Sequence, residues 1–89
     1  MVTVRAPLVS QTFNIIWADI TAQTGYVYDV QIQRPGQGWA DWKVGVTSPQ
    51  GSFTPDAGAG TYQFRGRLRS LASGLAVGYS NPVVVPVTA

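Results

Sequence analysis

Apolar and polar residues alternate with a period of two along most of the chain. Phe13, Ile15 and Trp17 alternate with Asn14, Ile16 and Ala18, and Tyr28, Val30 and Ile32 alternate with Asp29, Gln31 and Gln33. Successive side chains of a strand point to opposite faces, so each run reads as a strand with one face turned to a core. The clearest run sets Tyr62, Phe64, Gly66 and Leu68 against Gln63, Arg65, Arg67 and Arg69, an apolar face backed by a largely basic one. No window carries the stripe of an amphipathic helix.

Turn residues punctuate these runs at Ala6-Pro7, Thr24-Gly25, Arg34-Pro35-Gly36-Gln37-Gly38, Ser48-Pro49-Gln50-Gly51, from Pro55 to Gly60, and at Ser73-Gly74. The pattern predicts seven strands near residues 2–5, 12–18, 26–34, 40–47, 51–54, 61–69 and 77–87. That is the pattern of an all-β, antiparallel, Greek-key sandwich of immunoglobulin-like form. The last run is β-branched but holds Pro82 and Pro86, each of which removes a ladder donor, so it belongs on a sheet edge. The length of 89 residues leaves room for one domain, spanning 1–89, and one core.

Composition narrows the chemistry. Hydrophobic residues make up 45% and charged residues 11%, enough apolar surface to fold and too little charge to stay disordered. The chain has no His, Cys or Glu, and its carboxylate side chains are Asp19, Asp29, Asp41 and Asp56. Thiol nucleophiles, His-based triads and His/Cys zinc sites are thereby removed, and two lone aspartates near turns, Asp41 and Asp56, make no acid/base pair. No catalytic residue, no bound metal and no cofactor is expected. A net charge of +2 is too small to predict nucleic-acid binding. No apolar run approaches the ~20 residues of a membrane helix, so no membrane insertion is expected either, and the start lacks the pattern of a signal peptide.

Five segments in order give the chain a family resemblance over nearly its whole length: Trp17 early in a strand; Tyr28-Asp29-Val30-Gln31-Ile32; Trp39-Ala40-Asp41-Trp42 after a Gly-rich turn; Gly60-Thr61-Tyr62-Gln63-Phe64-Arg65; and Tyr79-Ser80-Asn81-Pro82. In order and spacing they resemble the fibronectin type III domain, most of all its bacterial versions. The resemblance implies that Trp17 is a core residue and that Tyr62 forms a tyrosine corner, its hydroxyl bonding backbone near Asp56 or Ala57. It also implies a non-catalytic spacer or interaction module, excised from a larger exported or cell-surface protein. Such a module is expected to be a monomer whose partners are neighbouring domains of the same chain. Gly66 departs from the pattern, standing where the family has a branched core residue, so a large neighbour such as Trp17 or Trp42 is expected to fill the gap.

Candidate contact residues each have a plainer reading beside the functional one. Arg65, Arg67 and Arg69 share a face with Asp29, Gln31 and Gln33. They form either a basic, aromatic surface for carbohydrate or a protein partner, or a cross-strand ladder that covers the sheet, which is the preferred reading. Trp39 and Trp42 are three residues apart and so face opposite sides of a regular strand, one in the core and the other a lone surface ring. In the loop 70–78, Leu71 and Leu75, with Val77, either make a partner-binding surface or fold back over the open end of the core. The expected structural core is Trp17, Tyr28, Val30, Ile32, Tyr62 and Phe64.

Overall fold

A computed structural model describes residues 11–88 of the chain. Among the described residues it is all-β, with six strands: β1 (Phe13–Ile16), β2 (Tyr26–Gln33), β3 (Trp39–Val46), β4 (Gln50–Phe53), β5 (Gly60–Ser70) and β6 (Val83–Val87). They form two antiparallel sheets, one of order β1-β4 and one of order β3-β2-β5-β6. The chain therefore passes from the small sheet to the large one, returns for β4, and crosses again to β5. The two sheets face each other across the core, the arrangement of a β-sandwich.

Five of the seven expected strands are found with boundaries shifted by at most two residues. The expected strand at 2–5 lies outside the described residues. The last expected strand is shorter than 77–87, because only 83–87 forms a ladder. The segment before it instead bonds singly to β5, with an isolated bridge between Arg69 and Ala76 and a bond from the Ser80 amide to the Gly66 carbonyl. β6 lies on the sheet edge, where its prolines were expected.

Ile15 and Phe53 of the small sheet meet Ile32, Tyr62, Phe64 and Val87 of the large one, and Phe13, Trp17, Trp42, Ala57 and Val85 pack around them. The centre is aromatic. Trp42 contacts Trp17, Phe53 and Phe64 with ring centroids 5.8, 5.6 and 5.1 Å apart, and Phe53 contacts Tyr62 at 5.4 Å. Tilted and edge-to-face pairs of this kind set the positive rim of one ring against the negative face of another.

Of the expected core, Val30, Ile32, Tyr62 and Phe64 are fully buried. Trp17 and Tyr28 are only half-buried. Trp17 follows β1 and is placed by a bond from its amide to the Pro49 carbonyl. Its ring lies between two glycines on opposite sheets: a β-carbon at Gly51 would stand 3.1 Å from the ring, and one at Gly66 3.2 Å from the Trp17 β-carbon. Trp17 is thus the large neighbour that fills the space left at Gly66.

Candidate functional site

The outer face of the large sheet carries the charged residues. In the pairing of β2 with β5, Asp29 stands opposite Arg67, Gln31 opposite Arg65 and Gln33 opposite Gln63, and strand alternation turns all six side chains away from the core. Each pair closes. Arg67 Nε donates to Asp29 at 3.0 Å, Arg65 Nε and Nη2 donate to Gln31 Oε1 at 2.9 and 2.7 Å, and Gln63 donates to Gln33 at 3.0 Å.

Asp29 is the hub, and it is only 4% exposed. It also accepts Arg69 Nε at 2.8 Å, Arg69 Nη2 at 3.1 Å and the Gly45 amide at 3.1 Å. These bonds favour the ionised form more than burial opposes it, so its pKa falls from the usual 3.8 to about 2, with the Arg69 hydrogen bond the largest cause. The ladder expected from sequence is present.

The same face holds an aromatic stack. Arg65 lies over the ring of Trp39 at 4.0 Å and the ring of Tyr79 at 4.8 Å, and Arg67 also lies over Tyr79 at 4.9 Å. The Arg65 guanidinium thus meets a ring from each side of β5 and is held at one edge by Gln31. Such contacts suit a planar, weakly hydrated cation.

Trp39 and Trp42 take the opposite sides expected of them: Trp42 is the core ring and Trp39 the outer one. The regular pairing of Gln33 with Trp39 and Gln31 with Asp41 puts Trp39 on the outer face and Trp42, the next residue after Asp41, on the inner one, and the register shift that follows, with Val30 opposite Lys43, leaves Trp42 as the extra residue of a bulge. Asp41 lies within β3 and not in a turn, and it accepts a bond from Gln31 at 3.2 Å. Asp56, in the loop before β5, pairs with Arg34 at 2.7 and 2.9 Å. The Arg34 guanidinium holds the Asp56 carboxyl below the usual carboxylate range, and each aspartate is thus engaged by its own partner.

Tyr79 is the member of the stack that sequence reasoning did not assign to it. It was placed in the last strand, whereas it sits ahead of β6 and is held by its neighbour. Ser80 donates its amide to the Gly66 carbonyl at 2.8 Å and accepts the Gly66 amide on its hydroxyl at 3.2 Å. The available signal was the Tyr79-Ser80 pair, a ring beside a hydroxyl that can bond an unfinished ladder.

The loop 70–78 projects its apolar residues into solvent. Leu71 is 59% exposed, Leu75 75% and Val77 62%. They do not fold back over the core, because backbone bonds from Leu71 to Gly25, Ser70 to Leu75 and Val77 to Leu68 hold the loop at the sheet end. Beside it, Ile20, Ala22, Gln23, Tyr26, Tyr28 and Leu68 line an open groove of about 380 Å³.

Neither a scan against models of protein families nor a search of curated proteins finds a match for this chain. Among the described residues no helix is long and apolar enough to cross a membrane, and no group of three or more potential metal-ligating side chains is present.

Proposed function

We propose that the chain is a non-catalytic module of the fibronectin type III kind, with seven strands in Greek-key order, serving as a spacer and interaction unit in a larger exported or cell-surface bacterial protein. The observation that carries this reading is the geometry around Tyr62. Its ring is buried at the start of β5, and its hydroxyl accepts the Ala57 amide at 2.9 Å and donates to the Gly58 carbonyl at 2.7 Å. These bonds match the geometry of the tyrosine corner of immunoglobulin-like sandwiches. The order β3-β2-β5-β6 facing β1-β4 supports the same reading, as does Trp17 packed between the sheets.

The test is a replacement in the parent protein of this module by an unrelated rigid sandwich of equal end-to-end length. Retained function supports a spacer. Loss of function that is reproduced by Arg65→Gln in the native module would instead make recognition its work.

A second reading, a binding module for carbohydrate or protein, is favoured by one specific observation. A plain spacer predicts no surface tryptophan beside arginines, and Trp39 stacked on Arg65, with Tyr79 on its other side, is such a cluster. The plainer account, a ladder that stiffens the sheet, explains the bonds of Asp29 but not why Arg65 is given two rings and a neutral partner.

A further inference from the structure

We propose that the Trp39-Arg65-Tyr79-Arg67 face binds a polyanionic polysaccharide, engaging its carboxylate or sulfate groups through Arg65 and Arg67 and its sugar rings by stacking on the aromatic side chains. This rests on the binding reading above and names its ligand class.

The argument begins with charge. This face carries three arginines and one buried carboxylate, Asp29, which serves Arg67 and Arg69. Arg65 is left with a neutral amide, Gln31, as its hydrogen-bond partner, and Asp41 is turned to the same amide from the other side. Among the described residues Arg65 therefore has no carboxylate of its own, and the terminal nitrogens of Arg67 make no hydrogen bond. A guanidinium offers two donor edges. Gln31 occupies one edge of Arg65, and Asp29 takes only the Nε of Arg67, so each keeps donors for an anion in the fork geometry that matches carboxylate and sulfate oxygens.

Organisation is the second step. Arg65 and Arg67 are two positions apart on one strand face, about 7 Å along β5, a spacing that suits anions repeated along a polymer. The rings and Gln31 already fix Arg65, so little side-chain freedom is lost when a ligand arrives.

Shape separates the sugar from a peptide. A peptide that adds as a strand needs a regular free edge; of the two edges of this sheet, β3 is broken by two register shifts and carries Asp41, and β6 contains Pro86. A peptide held by side chains needs apolar anchor pockets, and the outer positions that pair beside Arg65 and Arg67, from Asp29 to Gln33 on β2 and from Gln63 to Arg67 on β5, are Gln, Asp and Arg. Flat rings flanked by amides and guanidiniums are what a pyranose uses, by stacking on its apolar side and bonding at its polar edge.

The experiment titrates the intact chain at low ionic strength with dextran sulfate, with polygalacturonate and with neutral dextran, followed by calorimetry and by NMR of the side-chain N–H groups. The expected result is binding to one or both anionic polymers and none to dextran. The sulfate and uronate arms show which anion is preferred. Shifts should centre on the Arg65 Nε–H and the Trp39 indole N–H. Arg65→Gln should weaken binding at least tenfold, while Arg34→Gln, an equal loss of charge at the Asp56 pair, should change it less than twofold. The NMR shifts of the unmodified chain locate the site even if Arg65→Gln fails to fold. Equal weakening by Arg34→Gln, or shifts away from β5, overturns the proposal. Equal or tighter binding of polyglutamate at the same residues would also overturn it while leaving the binding reading intact; no shift on this face with any polymer or peptide would sink both.

Discussion

At the scale of single residues, Asp29 shows how a buried charge is retained and what depends on it. An isolated carboxylate at 4% exposure would shed its charge, but two guanidiniums and a backbone amide hold it ionised. Its folded pKa of about 2 lies below the ordinary 3.8. Protonation therefore favours the unfolded chain, and the stabilisation is present above pH ~4 and lost as pH falls through about 2. A depression of this size corresponds to about 2 kcal/mol. Urea unfolding followed between pH 6 and pH 2 should show that decline, and Asp29→Asn should flatten it while lowering stability at neutral pH by about 2–3 kcal/mol, because two arginines lose their counter-ion. Asp56, also held low by Arg34 but half in solvent, adds only a shallow slope as pH falls below the ordinary carboxylate range. Tyr62 makes a sharper residue-level case. Tyr62→Phe removes a half-buried hydroxyl that bonds two backbone groups of the loop before β5, and equilibrium unfolding should register a loss of about 1–3 kcal/mol.

At the scale of elements, legibility followed regularity. β5 was plain in the sequence because Tyr62, Phe64 and Leu68 alternate strictly with Gln63 and three arginines, and alternation is all that is needed to assign faces. The β3 bulge was not legible, since a bulge is set by how a strand meets its partner and not by its own residues. The Trp39/Trp42 division could be stated in advance, but which ring went inside was decided by the pairing of Trp39 with Gln33 and of Asp41 with Gln31. Tyr79 was missed because an ordered but strandless segment carries no periodicity, and its place depends on Ser80 reaching the Gly66 backbone. Gly66 was legible as a gap to be filled by Trp17 or Trp42, the structure puts Trp17 there, and that pair supports a prediction. Trp17→Ala should cost about 3 kcal/mol, the low end for a large aromatic because the ring is only half-buried. Gly66→Val should cost about 1–3 kcal/mol by crowding the ring. The double substitution should be less destabilised than the sum of the two, because the valine occupies space the indole vacates. Thermal unfolding of the four proteins gives the coupling directly, and simple additivity would mean that the two positions do not share that space.

For the whole molecule, the two sheets differ in length, and that inequality explains why the ends of the sandwich are unlike. At the end holding Tyr62, Ile32 and Val87, the short β1-β4 sheet covers the large one, and these three residues are at most 4% exposed. Toward the other end the large sheet runs on without it, so Tyr26, Tyr28 and Leu68 line an open groove with Ile20, and the loop 70–78 extends past them with Leu71, Leu75 and Val77 outward. Sequence alone left two fates for those leucines, because an apolar loop reads the same whether it caps a core or faces water. Burial on folding is what makes an apolar side chain stabilising, at roughly 25 cal/mol per Å² removed from water. Side chains that remain more than half exposed have gained little of it. Leu71→Ser and Leu75→Ser should therefore change the free energy of unfolding by less than about 0.5 kcal/mol each, in contrast with Phe64→Ala at the covered end, where about 3–5 kcal/mol is expected. Because an exposed apolar cluster also promotes contact between molecules, the double serine variant should stay monomeric at protein concentrations where the unmodified chain begins to self-associate in sedimentation experiments. A loss of 2 kcal/mol or more at either leucine would instead mean that the loop closes over the core in solution.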